Sequence, residues 1–196
     1  MKAATVHPWS ALFADTLPQV DREMAELVAG EAARNTATVN LIASESYCPR
    51  ATIDAEASML VNKNASGYPG RRDVAGCEIV DRIERLACAR ARRLFGAEHA
   101  NIQSVASTLA NVAVLRALLH PGDRILSLGG TAGGHHSHGD GHHVSGQDYE
   151  VEHFGVDETA GGIDVDSVRT RLRAFAPKIV IVGSTAYPRA IDFASL

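Results

Sequence analysis

Five of the nine histidines in this 196-residue chain, His135, His136, His138, His142 and His143, fall in one glycine-rich stretch. Imidazole is a common metal ligand, so such a cluster invites a metal-site reading. Against it, no cysteine lies near, Asp140 is the only carboxylate among them, and a flexible glycine-rich loop is a poor template for fixed ligand geometry. No structural metal is therefore expected, and adventitious zinc or nickel binding is the better reading. Ser107 and Thr108 stand at an expected strand-to-helix junction, where backbone N–H groups and the positive end of the helix dipole suit a phosphate. Ser and Thr also cap helices routinely, and by residue type alone the cap is favoured. Thr185 and Ser44 are further hydroxyls in loop-like sequence, open to ordinary loop or cap bonding.

These groups need elements to carry them. Residues 16–34 read as a helix with Val20, Met24, Leu27 and Val28 in a stripe. Residues 38–43 read as a buried extended segment, 51–61 as a helix, and 62–76 as a loop by its glycines and proline. The strongest helix pattern is 78–95, basic in its last turn and stopped by Gly96. Strand readings at 100–103, 124–128, 149–154 and 178–182 alternate with helix readings at 108–119 and 165–175, and a Gly/His loop occupies 129–146. That alternation predicts an α/β fold with a parallel sheet covered on both faces. The chain stops soon after a strand reading, which leaves a sheet edge to be covered and suggests part of a larger domain.

Composition narrows the classes. The net charge of -4 gives no reason to expect nucleic-acid binding. Three cysteines, Cys48, Cys77 and Cys88, have no metal-ligand spacing and are odd in number, which suits reduced thiols in the cytoplasm. Residues 1–15 resemble neither a signal peptide nor a membrane anchor.

Several motifs share one order. They are Leu41-Ile42-Ala43-Ser44-Glu45-Ser46, Asn62-Lys63 followed by Gly67-Tyr68-Pro69-Gly70-Arg71-Arg72, Gly76-Cys77-Glu78, and Gly133-Gly134-His135-His136-Ser137-His138-Gly139. Together they resemble the N-terminal portion of the serine hydroxymethyltransferase family, whose members use pyridoxal 5'-phosphate to interconvert serine and glycine with tetrahydrofolate. The resemblance implies the N-terminal part of the type I, aspartate aminotransferase-like fold, with an incomplete parallel-rich sheet flanked by helices. It implies an N-terminal arm and helix over 1–35 and a partial cofactor-binding large domain over 36–196. In that sheet the strand near Ile102 would be separated by a gap from the strand near Ile181. Carried over residue by residue, it places His135 on the cofactor ring, Ser107, Thr108 and Thr185 at its phosphate, and Ser44 at the substrate carboxylate. His138 matches the second histidine of the same motif; His136, His142 and His143 are additional. Implied partners are a small amino acid and folate, with a homodimer or a second chain supplying the missing half.

The chain also departs from the family. Asn64 and Ser66 stand where the family has Tyr and a proton-handling Glu, and Asp73 and Val74 where it commonly has two aromatics. Ala106-Ser107-Thr108 replaces Ser-Gly-Ser, and Val105 replaces a His. The only lysines are Lys2, Lys63 and Lys178, none at the family's Schiff-base position, so no catalytic residue is assigned in this chain and activity of the isolated chain is not expected. Loss of a titratable group at 66 removes general acid–base work there. The changes at 64 and 66 suit a folate-independent aldolase or transaldolase better; the other reading is a truncated, non-catalytic copy that pairs with a full-length relative.

Overall fold

The computed structural model describes residues 14–196; Lys2 and most of the 1–15 leader reading lie outside them. The chain divides into two units, 14–46 and Tyr47–Leu196.

In the first unit the helix expected over 16–34 is two helices, α1 (Leu17–Val20) and α2 (Arg22–Ala37). Asp21 separates them because it caps the second: its backbone is extended and its carboxylate accepts the Met24 N–H at 2.9 Å. The Val20, Met24, Leu27 and Val28 stripe is exposed. The buried strand expected over 38–43 is absent. Val39 and Leu41 are 85% and 88% exposed, and among the described residues of this unit no strand pairs with them.

The second unit begins with a short helix, α3 (Arg50–Glu56), and a 3-10 turn, Met59–Asn62, where one helix over 51–61 was expected. Ser58 divides them, its hydroxyl donating to the Ala55 carbonyl. The expected loop at 62–76 contains a small antiparallel hairpin, β1 (Gly67–Tyr68) with β2 (Arg71–Arg72). Helix α4 (Glu78–Phe95) forms over the expected residues, with Gly96 as its left-handed cap. The hairpin is fastened to it by Arg72, whose guanidinium meets Asp81 at 2.8 Å and Glu84 at 2.6 Å, all three side chains being largely buried. The remaining Asp81 oxygen accepts the Gly70 N–H, and Gln103 bridges Glu84 to the Gly67 carbonyl.

The strand expected over 100–103 does not form. Asn101 and Gln103 bond to the hairpin and to Glu84 instead of joining a ladder. The sheet is therefore three-stranded, in the order β4 (Glu150–Phe154), β3 (Arg124–Leu128), β5 (Ile179–Ile181), all parallel. Its central strand is an apolar run buried on both faces, as parallel strands are. Ile125 faces Leu115 and Leu119 of α5 (Ser107–Leu118) and its C-cap, together with Tyr149. Leu126 and Leu128 face Phe154 and Val168 on α7 (Val165–Phe175). The 129–146 loop folds into two 3-10 turns, Gly130–Ala132 and His136–His138, and leads to α6 (Val144–Asp148).

All three cysteines are unpaired. Among the described residues no helix is long and apolar enough to cross a membrane. One core defect stands out: the hydroxyl of Tyr149 is buried without a hydrogen-bond partner. An unsatisfied buried group of this kind costs about 1–3 kcal/mol. Tyr149→Phe is therefore expected to raise the thermal midpoint by about 2–12 °C, at about 2–4 °C per kcal/mol. A lower midpoint by calorimetry would mean that the hydroxyl is bonded in solution.

Candidate functional site

Because β3, β4 and β5 run parallel, their carboxyl ends lie on one edge of the sheet. The 129–146 loop follows β3 at that edge, and the segment carrying Thr185 follows β5. Helix α5 returns into β3 through a turn at 119–123, so its N-terminus, with Ser107 and Thr108, is directed to the same edge. In open α/β sheets this is where ligands bind.

The two loops are joined by backbone. The Gly133 carbonyl accepts the N–H groups of Thr185 at 2.8 Å and Ala186 at 3.1 Å. A Cβ on Gly133 would come within 2.6 Å of the Tyr187 nitrogen, and one on Gly134 would overlap the Leu128 carbonyl oxygen. Neither position has room for a side chain.

The His loop is joined to α5 by side chains. Asn111, one turn beyond Ser107, donates to Ser137 Oγ at 2.8 Å, and Ser137 Oγ lies 2.8 Å from His135 Nδ1. The Ser137 backbone N–H also points at that Nδ1, at 3.1 Å. Nδ1 is therefore the acceptor, and in neutral His135 the proton sits on Nε2. Asn111 and Ser137 were not singled out from sequence. The usable signal was Asn111's helical spacing from Ser107 and Thr108, which gives them a common face.

No side chain caps the N-terminus of α5 at Ala106, so first-turn donors remain for an anion. Thr108 is half-buried beside them and Ser107 is exposed. Ser44 lies in the other unit, on a turn closed by the Glu45 N–H and the Ile42 carbonyl. Neither described lysine serves this edge. Lys63 Nζ donates to the Ala75 carbonyl at 2.7 Å, and Lys178 Nζ meets Asp123 at 2.5 Å, at the amino end of β5.

Of the additional histidines, His136 and His142 are outward, while His143 is half-buried and caps α6 by accepting the Ser145 N–H at Nδ1. His136 and His142 each place Nδ1 on Asp140, at 2.9 and 3.1 Å, and both rings are exposed. The backbone N–H of His142, then these imidazoles, hold the Asp140 carboxyl below the usual carboxylate range. Among the described residues no three His, Cys, Asp or Glu side chains are disposed to hold a metal ion.

A sequence model described as serine hydroxymethyltransferase matches residues 17–196. This chain belongs to the serine hydroxymethyltransferase family. It is 47% identical over 195 residues to serine hydroxymethyltransferase 1 of Mycobacterium tuberculosis (strain CDC 1551 / Oshkosh), an alignment covering 100% of this chain and 44% of the relative. Identity is 48% over 180 residues to the enzyme of Nocardia farcinica, with 92% of this chain and 42% of the relative covered. It is 47% over 175 residues to that of Halorubrum lacusprofundi, with 89% and 42% covered. The chain thus spans less than half the length of these relatives.

Ser66 and Asp73, both singled out from sequence, meet in space. Ser66 Oγ donates to Asp73 Oδ2 at 2.6 Å, and the Asp73 N–H donates to the Ser66 carbonyl, so the two residues close the base of the hairpin together.

Gly134→Ala tests the backbone junction. The Leu128 carbonyl cannot yield without disturbing β3, so a loss of about 1–3 kcal/mol is expected in urea unfolding. Unchanged stability would show that the loop does not sit this close to the strand.

Proposed function

We propose that this chain is the cofactor-anchoring part of a pyridoxal 5'-phosphate-dependent serine hydroxymethyltransferase with the type I, aspartate aminotransferase-like fold. The protein would exchange a one-carbon unit between serine, glycine and tetrahydrofolate in the cytoplasm. The observation that carries the reading is the bonded path from Asn111 through Ser137 to His135, together with the Gly133 carbonyl on Thr185. Residues far apart in sequence thus meet at one sheet edge, which supports the reading.

The residues present suit the cofactor's ends. The uncapped first turn of α5, with the hydroxyls of Thr108, Ser107 and Thr185, would take the phosphate. His135 would lie on the pyridine ring, its plane set by the two donors on Nδ1. Bound pyridoxal phosphate supplies an electron sink for bonds broken at an amino acid's Cα. Ser44 would offer its hydroxyl to the substrate carboxylate. The lysine that holds the cofactor and a partner for the pyridine nitrogen must come from chain outside these residues, in the same polypeptide or a second one, and a dimer is the expected assembly.

A second reading, aldol cleavage of β-hydroxy amino acids without folate, is favoured by position 66. Ser66 cannot titrate and its hydroxyl is committed to Asp73.

An absorbance titration with pyridoxal 5'-phosphate tests the anchoring role. His135→Ala and Thr108→Ala should each weaken binding by roughly 2–10-fold, the loss of one stacking or hydrogen-bond contact. Equal binding by His135→Ala would remove the stacking assignment.

A further inference from the structure

His138 is a buried titratable group without a partner. It is 8% exposed, and its Nδ1 is buried with no hydrogen-bond partner. The residue is gripped through its backbone and its ring edge. Its carbonyl accepts from Ser127 Oγ on β3 at 2.6 Å, and its N–H donates to the His135 carbonyl. A methyl at Gly183, just beyond β5, would lie 3.7 Å from its Cε1. Its ring meets that of His135 edge-on, with centroids 5.7 Å apart.

The surroundings offer nothing to a positive charge. From β3 comes Ser127, whose proton is already given to the His138 carbonyl; His153 on β4 must therefore donate through Nδ1 to that Ser127 oxygen, at 2.9 Å. The segment after β5 contributes Gly183, α5 contributes the neutral Asn111 through Ser137, and α6 contributes Ser145 on the Gly139 N–H. The nearby carboxylate, Asp140, is taken up by His136 and His142. The charge that acts on His138 is that of His135, another cation when protonated. A protonated His138 would bury an N–H donor with no acceptor beside a like charge.

We propose that His138 is a proton-operated latch for the 133–139 turn. While neutral it seats the turn between β3 and Gly183. Once protonated it releases the turn, and with it the His135 ring and the Gly133 carbonyl that holds Thr185. The latch is a property of the protein alone and does not depend on what fills the site.

Burial first, and His135 second, push the His138 imidazole below its ordinary value of 6.5. The released form therefore takes up the proton more readily than the seated form. Closure is complete above pH 6.5 and is lost as pH falls below that value toward the seated pKa. Any anion held by Thr108 and Thr185 would be released over the same range.

Hydrogen–deuterium exchange of the whole chain, without ligand, from about pH 7.5 to about pH 5, reads the latch directly. After correction for intrinsic exchange, protection at the Gly134, His138 and Gly139 amides should fall about tenfold while β3 stays protected. His138→Gln should flatten the profile, and the double change His136→Gln with His142→Gln should leave it intact. His135→Gln should move the midpoint upward, because it removes the neighbouring cation. The proposal fails if the parent profile is flat, if His138→Gln shows the same fall, or if the outer double variant abolishes it. Should His138→Gln not fold by circular dichroism, an unmoved midpoint in His135→Gln overturns the latch.

Discussion

The site rests on one close approach of backbone to backbone. Gly134 sits against the Leu128 carbonyl at the end of β3, and Gly133 offers its own carbonyl to Thr185 and Ala186. Only residues without a Cβ can come this near. The approach draws the loops after two neighbouring strands into one surface and brings Ser137 within reach of Asn111 on α5. Three chain segments, from 107 to 185, are thus held by a few bonds whose geometry two glycines permit.

The parallel sheet makes that surface one-sided. Parallel pairing in the order β4-β3-β5 puts every carboxyl end on the same edge, and β3 is buried from Ile125 to Leu128. Groups at the other edge cannot reach across: Lys178 is only seven residues before Thr185, yet β5 lies between them and its amine pairs with Asp123 at the amino end. Closeness in sequence along a strand is distance in space, about 3.3 Å per residue.

The hairpin shows a different kind of order. Arg72 is buried against Asp81 and Glu84, with its other nitrogen on backbone carbonyls, so the charges satisfy one another where water is largely excluded. A buried pair of this kind adds specificity more surely than stability. It fixes where the Gly67–Arg72 hairpin stands on α4, and with it the Ser66–Asp73 bond at the base of the hairpin.

Periodicity and punctuation determined much of this protein without its tertiary structure. The amphipathic pattern over 78–95 ended by Gly96, the apolar run 124–128, and the helix 165–175 all form at the expected residues, because local preference and burial agree there. The order of the motifs determined the family. Segments whose state depends on a neighbour were not legible. Residues 38–43 and 100–103 read as strands, but a strand needs a partner, and the side chains of Asn101 and Gln103 bond to the hairpin and to Glu84 instead. Sequence could only propose His135, Thr108 and Thr185 for a site; the tertiary structure supplied the bonds of Asn111 and Ser137 to His135 and buried His138 without a partner for its Nδ1. Those relations join residues dozens of positions apart, and no local pattern encodes which side chain will complete another's hydrogen bond.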